Sequence, residues 1–173
     1  MEQLNPFPSY SKRCTIKELP KEIPNDEMIV RTVVYNHHFK KKVLCSRLYQ
    51  PPFNTDKVSM MRVIYIGVDE CKRISREVVE NPAAQKFYKG LATISAASIR
   101  NSGALIEDSP NDKFLGHANL RMGFVRQKNE PLQTTEEQEA YDKRLDALFA
   151  ATLYFEDPDP NVPGWKGAEL TMK

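Results

Sequence analysis

The stretch Phe87–Phe124, FYKGLATISAASIRNSGALIEDSPNDKFLGHANLRMGF, decides how the rest of the chain is read. An apolar run over Gly90–Ile94 leads into a short helical segment that stops at Asn101-Ser102-Gly103. A second apolar run, Ala104–Ile106, meets the turn sequence Ser109-Pro110-Asn111-Asp112, and a third segment carries His117. Strand, helix, strand, turn, strand is the order these periods predict.

Downstream, Thr134 and Glu137 form the T-x-x-E pattern of a capping box. Tyr141, Leu145, Leu148, Thr152 and Phe155 then recur at helical spacing, which predicts one continuous helix over Thr135–Phe155. Pro158, Pro160 and Pro163 end it and leave a tail with Trp165 as an anchor.

Upstream, Met28–Tyr35 (MIVRTVVY) is rich in β-branched residues and reads as a strand. Lys42–Tyr49 reads as its returning partner across a basic turn, and Val58–Ile66 as a third strand. Over Val68–Glu80 the period changes: Val68, Cys71, Ile74 (or Ser75) and Val78 recur at helical spacing, and Asn81-Pro82 closes the helix. Residues 1–27, with Pro6, Pro8, Pro20 and Pro24, read as an extended arm that packs through Phe7 and Tyr10. The expected fold is a single α+β domain. A largely antiparallel sheet of about five strands is packed by a long helix in the C-terminal half and by shorter helices. The arm spans 1–27, the core 28–154 and the Pro-rich tail 155–173.

The 173 residues suit one core, and 28% charged with 40% hydrophobic residues are globular values. No apolar run approaches the ~18 residues that span a bilayer. The start, Met-Glu-Gln-Leu-Asn-Pro, has no signal-peptide pattern, so a soluble, cytoplasmic protein is expected. Cys14, Cys45 and Cys71 are odd in number and form no C-x-x-C pair, which argues against a disulfide framework and a cysteine zinc site.

The net charge of +2 hides an asymmetry. Residues 1–106 hold 17 Lys/Arg against 10 Asp/Glu, and residues 107–173 hold 8 against 13. Met28–Arg76 alone carries 10 basic and 3 acidic residues. Such a surplus bears on partners rather than on fold.

Two constellations carry candidate chemistry. His37 and His38, with Lys40, Lys41 and Lys42, form a cationic cluster that Arg31 and Arg47 extend along the hairpin. Those residues suit phosphate contacts, against the plainer reading of a solvated turn. The surplus runs on through Arg62, Lys72, Arg73 and Arg76. His117, in Gly116-His117-Ala118-Asn119, suits a general base at a strand end, against the plainer reading of a ring that bonds to nearby backbone. Its candidate partners are Asp108, Ser109, Asp112 and Glu130, with Arg31 reaching across the sheet.

Other patterns fail on their own chemistry. A zinc deaminase needs H-x-E and P-C-x-x-C, and Asn119 stands where the acid belongs. Asp157-x-Asp159-x-Asn161 starts like a calcium loop, but Val162 and Ala168 occupy the glycine and glutamate places. Adjacent histidines on a strand point to opposite faces, so no metal is expected at His37-His38. No phosphate-binding glycine loop, G-x-S-x-G or H-E-x-x-H is present, and no cofactor is expected. Arg31 and Ser46 on paired strands, with Glu107 or Glu130 as the acid, invite an ADP-ribosyltransferase comparison that spacing alone does not select.

Ile99-Arg100, Gly103, Asp108-Ser109-Pro110 and Gly116-His117-Ala118, with the ending Asp157-Pro158-Asp159-Pro160 and Gly164-Trp165-x-Gly167, resemble a group of small bacterial proteins of unassigned activity. The likeness covers about half the chain. It implies a free-standing domain of bacterial or phage-borne origin and no reaction or catalytic residues.

The leading expectation is an accessory protein that engages an acidic partner, a protein surface or nucleic acid, through the basic hairpin. The alternative is a small enzyme centred on His117, hydrolase-like or ADP-ribosyltransferase-like.

Overall fold

The computed structural model describes residues 19–80, 82–111 and 115–173. The expected packing of Phe7 and Tyr10 lies outside them. The described residues form one α+β domain. In chain order its elements are β1 (Met28–Tyr35), β2 (Phe39–Lys40), β3 (Val43–Leu44), a 3₁₀ turn (Ser46–Tyr49) and β4 (Lys57–Arg62). Helices α1 (Val63–Ile66) and α2 (Val68–Val79) follow, then β5 (Phe87–Ser95), α3 (Ala96–Asn101), β6 (Leu105–Asp108) and β7 (His117–Arg121). The chain closes with α4 (Thr135–Ala150) and β8 (Leu153–Glu156).

Six strands make one antiparallel sheet in the order β6-β7-β4-β1-β5-β8. Alternation along β1 sends Ile29 and Val33 into a large core shared with Tyr141, Leu145 and Leu148 of α4. Val30 goes to the opposite face, where Cys71 and Ile74 of α2 meet Tyr88 and Leu91. Helices thus cover both faces of the sheet.

The Phe87–Phe124 reading holds: β5, α3, β6 and β7 appear in the expected order, as do β1 and α2. Three expectations are corrected. Lys42–Tyr49 is not a partner of β1. Phe39–Lys40 and Val43–Leu44 pair only with each other, and the 3₁₀ turn then buries Leu48 and Tyr49. Local closure of this small hairpin wins because Lys41 and Lys42 both take left-handed backbone, φ 49° and 66°, which makes a tight two-residue turn.

Val58–Ile66 is strand only as far as Arg62, after which α1 turns the chain away. The C-terminal helix stops at Ala150, short of Phe155. Its capping box is formed at the other end, with Thr134 Oγ1 accepting from Glu137 N at 3.1 Å and Glu137 Oε2 from Thr134 N at 3.3 Å. The Thr152 hydroxyl bonds back to the Leu148 carbonyl at 2.8 Å, and Leu153-Tyr154-Phe155-Glu156 pair with β5 instead of continuing the helix. Aromatic side chains favour the half-buried pleated surface that the open edge of β5 offers.

The described parts of both flanks belong to the fold. Ile23 is buried in the larger core, and Glu27 takes the guanidinium of Arg62 in a two-pronged pair at 2.7 and 2.8 Å. In the tail, Trp165 packs on the smaller core and its backbone N–H donates to Asp69 Oδ1 at 2.6 Å, as its anchor role requires.

Candidate anion-binding site

β1 pairs with β5 along its whole length but with β4 only at Ile29 and Val30. Beyond that point β1 and β4 part. The Arg31 guanidinium bridges the widening gap, Nε donating to the Leu48 carbonyl at 3.2 Å and Nη1 to the Ser59 carbonyl at 2.7 Å. Withdrawal from water lowers its pKa to about 10.

After Tyr35 the chain reverses through Asn36, whose φ is 62°. His38 N donates to the Val34 carbonyl at 3.0 Å, and Val34 N donates back to His38 Nδ1 at 3.1 Å. An imidazole that accepts at Nδ1 is neutral with its proton on Nε2. Burial, with Arg31, His37, Arg47 and Lys86 nearby, drives its pKa down to about 2. His38 is therefore a buried peg of the turn, 1% exposed, and of the two neighbouring histidines only His37 faces solvent.

Lys40, Lys41 and Lys42 are exposed at the hairpin tip. Arg47 is also exposed and ties the 3₁₀ turn to the hairpin through the Phe39 carbonyl, 2.5 Å from Nη2. A cavity of about 360 Å³ opens beside this turn. Arg31, His37 and His38 line it from β1 and its reversal, Glu80 from the end of α2, and Lys86 from the approach to β5. Burial first, then the charges of Lys86, Arg31 and Arg47, push the His37 pKa below the ordinary histidine value.

The ion pairs take up four of the ten basic residues of Met28–Arg76, and the exposed Lys57 on β4 is one of those left unpaired among the described residues. Arg62 is held by Glu27 and Asp108, Lys72 by Asp157, Arg73 by Glu70 and Glu77, and Arg76 by Glu80. The basic surplus does not continue as a surface through these four. Arg31, His37, Lys40, Lys41, Lys42, Arg47 and Lys86, in contrast, form no ion pair among the described residues.

His117 stands at the start of β7. Its Nδ1 lies 2.6 Å from the Ser109 carbonyl, which can only accept, so this nitrogen carries the proton. Nε2 lies 3.1 Å from Ser59 Oγ. Of the expected partners, Ser109 is met through its backbone, Asp108 is taken by Arg62, and Asp112 lies outside the described residues. Glu130 lines a second cavity of about 330 Å³, past the other end of β7. Arg31 donates to the Leu48 and Ser59 carbonyls, and His117 lines neither cavity. Ser46 opens the 3₁₀ turn, so the paired strands of the transferase comparison are not formed.

Lys86 is the residue that sequence reasoning missed. It follows the Asn81-Pro82 helix stop without any motif, and only the β1–β5 ladder carries it to the His37 turn. Comparisons with protein-family models, curated proteins and solved structures find no match for this chain.

Proposed function

We propose that this protein binds single-stranded nucleic acid through the basic hairpin. The observation that carries the reading is the sorting of charges. Arg62, Lys72, Arg73 and Arg76 are neutralised by ion pairs, whereas Arg31, Lys40, Lys41, Lys42 and Arg47, clustered at and beside the hairpin, and Lys57 on β4 have no carboxylate partner among the described residues. Phosphate backbones answer such a surface at a modest cost in specificity. Aromatic surface favours a single strand over an acidic protein: Phe87, 43% exposed, follows Lys86 directly and faces Tyr35 in the ladder. Exposed rings beside cations give bases a stacking platform.

No helix among the described residues is long and apolar enough to cross a membrane. A cytoplasmic, bacterial setting accords with the reading, since nucleic acid is the abundant polyanion there.

Fluorescence anisotropy with a labelled generic oligonucleotide tests it. Binding at low salt should fall steeply as salt rises, and replacing Lys40, Lys41 and Lys42 together by glutamine should weaken binding and flatten the slope. No binding at 20 mM salt, roughly a 20 Å screening length, would leave an acidic protein surface as the partner class.

A second reading rests on one separate observation. Ser59 Oγ, His117 Nε2 and the Ser109 carbonyl on Nδ1 form the nucleophile–base–orienter order of acyl-transfer sites. Under it, a fluorophosphonate probe labels Ser59, and His117→Gln abolishes the labelling while the melting temperature holds.

A further inference from the structure

The cavity beside the His37 turn has a property that the open hairpin lacks: the Arg31 guanidinium, the Lys86 ammonium and the His37 imidazole line one volume, each with hydrogen-bonding capacity left over. Arg31 spends Nε and Nη1 on backbone carbonyls, and its Nη2 makes no hydrogen bond among the described residues. Lys86 is half-buried, which costs an ammonium its water, and it makes neither an ion pair nor a hydrogen bond among the described residues. His37 likewise keeps both ring nitrogens uncommitted. The one carboxylate in the lining, Glu80, already accepts from Arg76 Nε at 3.1 Å. Donors held close together without a counter-charge repel one another, and a compact anion relieves that repulsion.

We propose that this cavity takes a phosphate monoester group, held by Arg31, His37 and Lys86. Guanidinium and ammonium groups around one volume match the several oxygens of a dianion better than the single charge of a backbone diester. About 360 Å³ holds a phosphate together with its sugar. Two sources present this group: free phosphate metabolites, and the terminal phosphate of a nucleic-acid strand. For the second source the proposal rests on the nucleic-acid reading, and for the first it stands without it.

The experiment compares one oligonucleotide with a 5′-phosphate and with a 5′-hydroxyl, and adds inorganic phosphate as a separate titrant followed by calorimetry. The 5′-phosphate should tighten binding by about tenfold, the scale of one charge-assisted contact. Lys86→Gln should erase that difference, so that the two strands bind with the same affinity. Replacing Lys40, Lys41 and Lys42 by glutamine should weaken both strands alike. The Lys86 side chain makes no ion pair or hydrogen bond among the described residues, so its replacement should leave the melting temperature in place, and a matched melt checks this.

If both strands bind equally and inorganic phosphate gives no heat, the cavity proposal falls while the hairpin reading stands. If neither strand binds but inorganic phosphate does, in a manner lost in Lys86→Gln, the cavity serves a free phosphate compound and the hairpin reading falls. No binding of strands or phosphate overturns both.

Discussion

Lys72 and Asp157 meet 2.8 Å apart, Nζ to Oδ2, with both side chains almost wholly withdrawn from water. Lys72 also donates to the Asp159 and Gly164 carbonyls, each at 2.8 Å, and the Tyr88 hydroxyl donates to Asp157 Oδ2 at 3.2 Å. One ammonium therefore fastens α2 to the chain beyond β8, and the Pro-rich tail is part of the smaller core. Removing one member of a sealed pair strands the other charge, so Lys72→Ala should cost about 3–5 kcal/mol in urea unfolding. A loss below about 1 kcal/mol would show that the tail is not held this way.

His38 gives stability a defined pH dependence. Its folded pKa lies far below the ordinary value, about 2 against 6.5. The unfolded chain therefore binds a proton that the native chain refuses once the pH drops below about 6.5. Stability is full above that value and falls with acidification, by at most about 1.4 kcal/mol per pH unit from this group. Nitrogen NMR should find His38 as the neutral Nε2–H form at pH 5.5, and an imidazolium there would refute the assignment. His38→Asn, which keeps an acceptor for Val34 N, should flatten the pH profile more than it lowers stability at pH 8.

The two lysines at the hairpin tip sit in left-handed backbone that asparagine and glycine adopt at far lower cost. Lys41→Asn with Lys42→Gly should raise stability by about 1 kcal/mol or more. Under the proposed function the same pair should weaken oligonucleotide binding. A variant that is more stable and binds as tightly as the parent would exclude the tip from the interface.

Leu145→Ala tests the seat of α4. The side chain is 8% exposed and packs in the larger core with Tyr141 and Leu148. Truncation should cost about 2–5 kcal/mol, read from the shift in denaturation midpoint. A cost below about 0.5 kcal/mol would mean the helix does not pack as described.

The parts of the fold legible in the sequence were those with strong local chemistry. β1 shows itself through its β-branched run, α2 through its 3.6 period and Asn-Pro stop, and the start of α4 through its capping box. The short pieces were not legible. Phe155 repeats at helical spacing from Leu148 by coincidence, and what overrules it is the free edge of β5, a feature of tertiary structure. The tight turn at Lys41-Lys42 lacks the usual Asn-Gly signature. At the site, the hairpin cations could be read directly. Their apparent continuation through Arg62 and Lys72 could not be corrected from sequence, because the neutralising carboxylates Glu27 and Asp157 lie 35 and 85 residues away.

The place of β1 between β4 and β5 sets a waiting time on the ribosome. Its eight residues pair chiefly with β5, which ends only at Ser95. At ~5–20 residues per second, an apolar strand stays without its main partner for on the order of 3–12 s. A flat segment such as MIVRTVVY is the kind that other chains can add to. Arg31 breaks its apolar run, and Lys40, Lys41 and Lys42 follow it at once. Charges in those places keep nascent strands apart. The cations proposed to hold a ligand in the finished protein thus act first as gatekeepers during its synthesis.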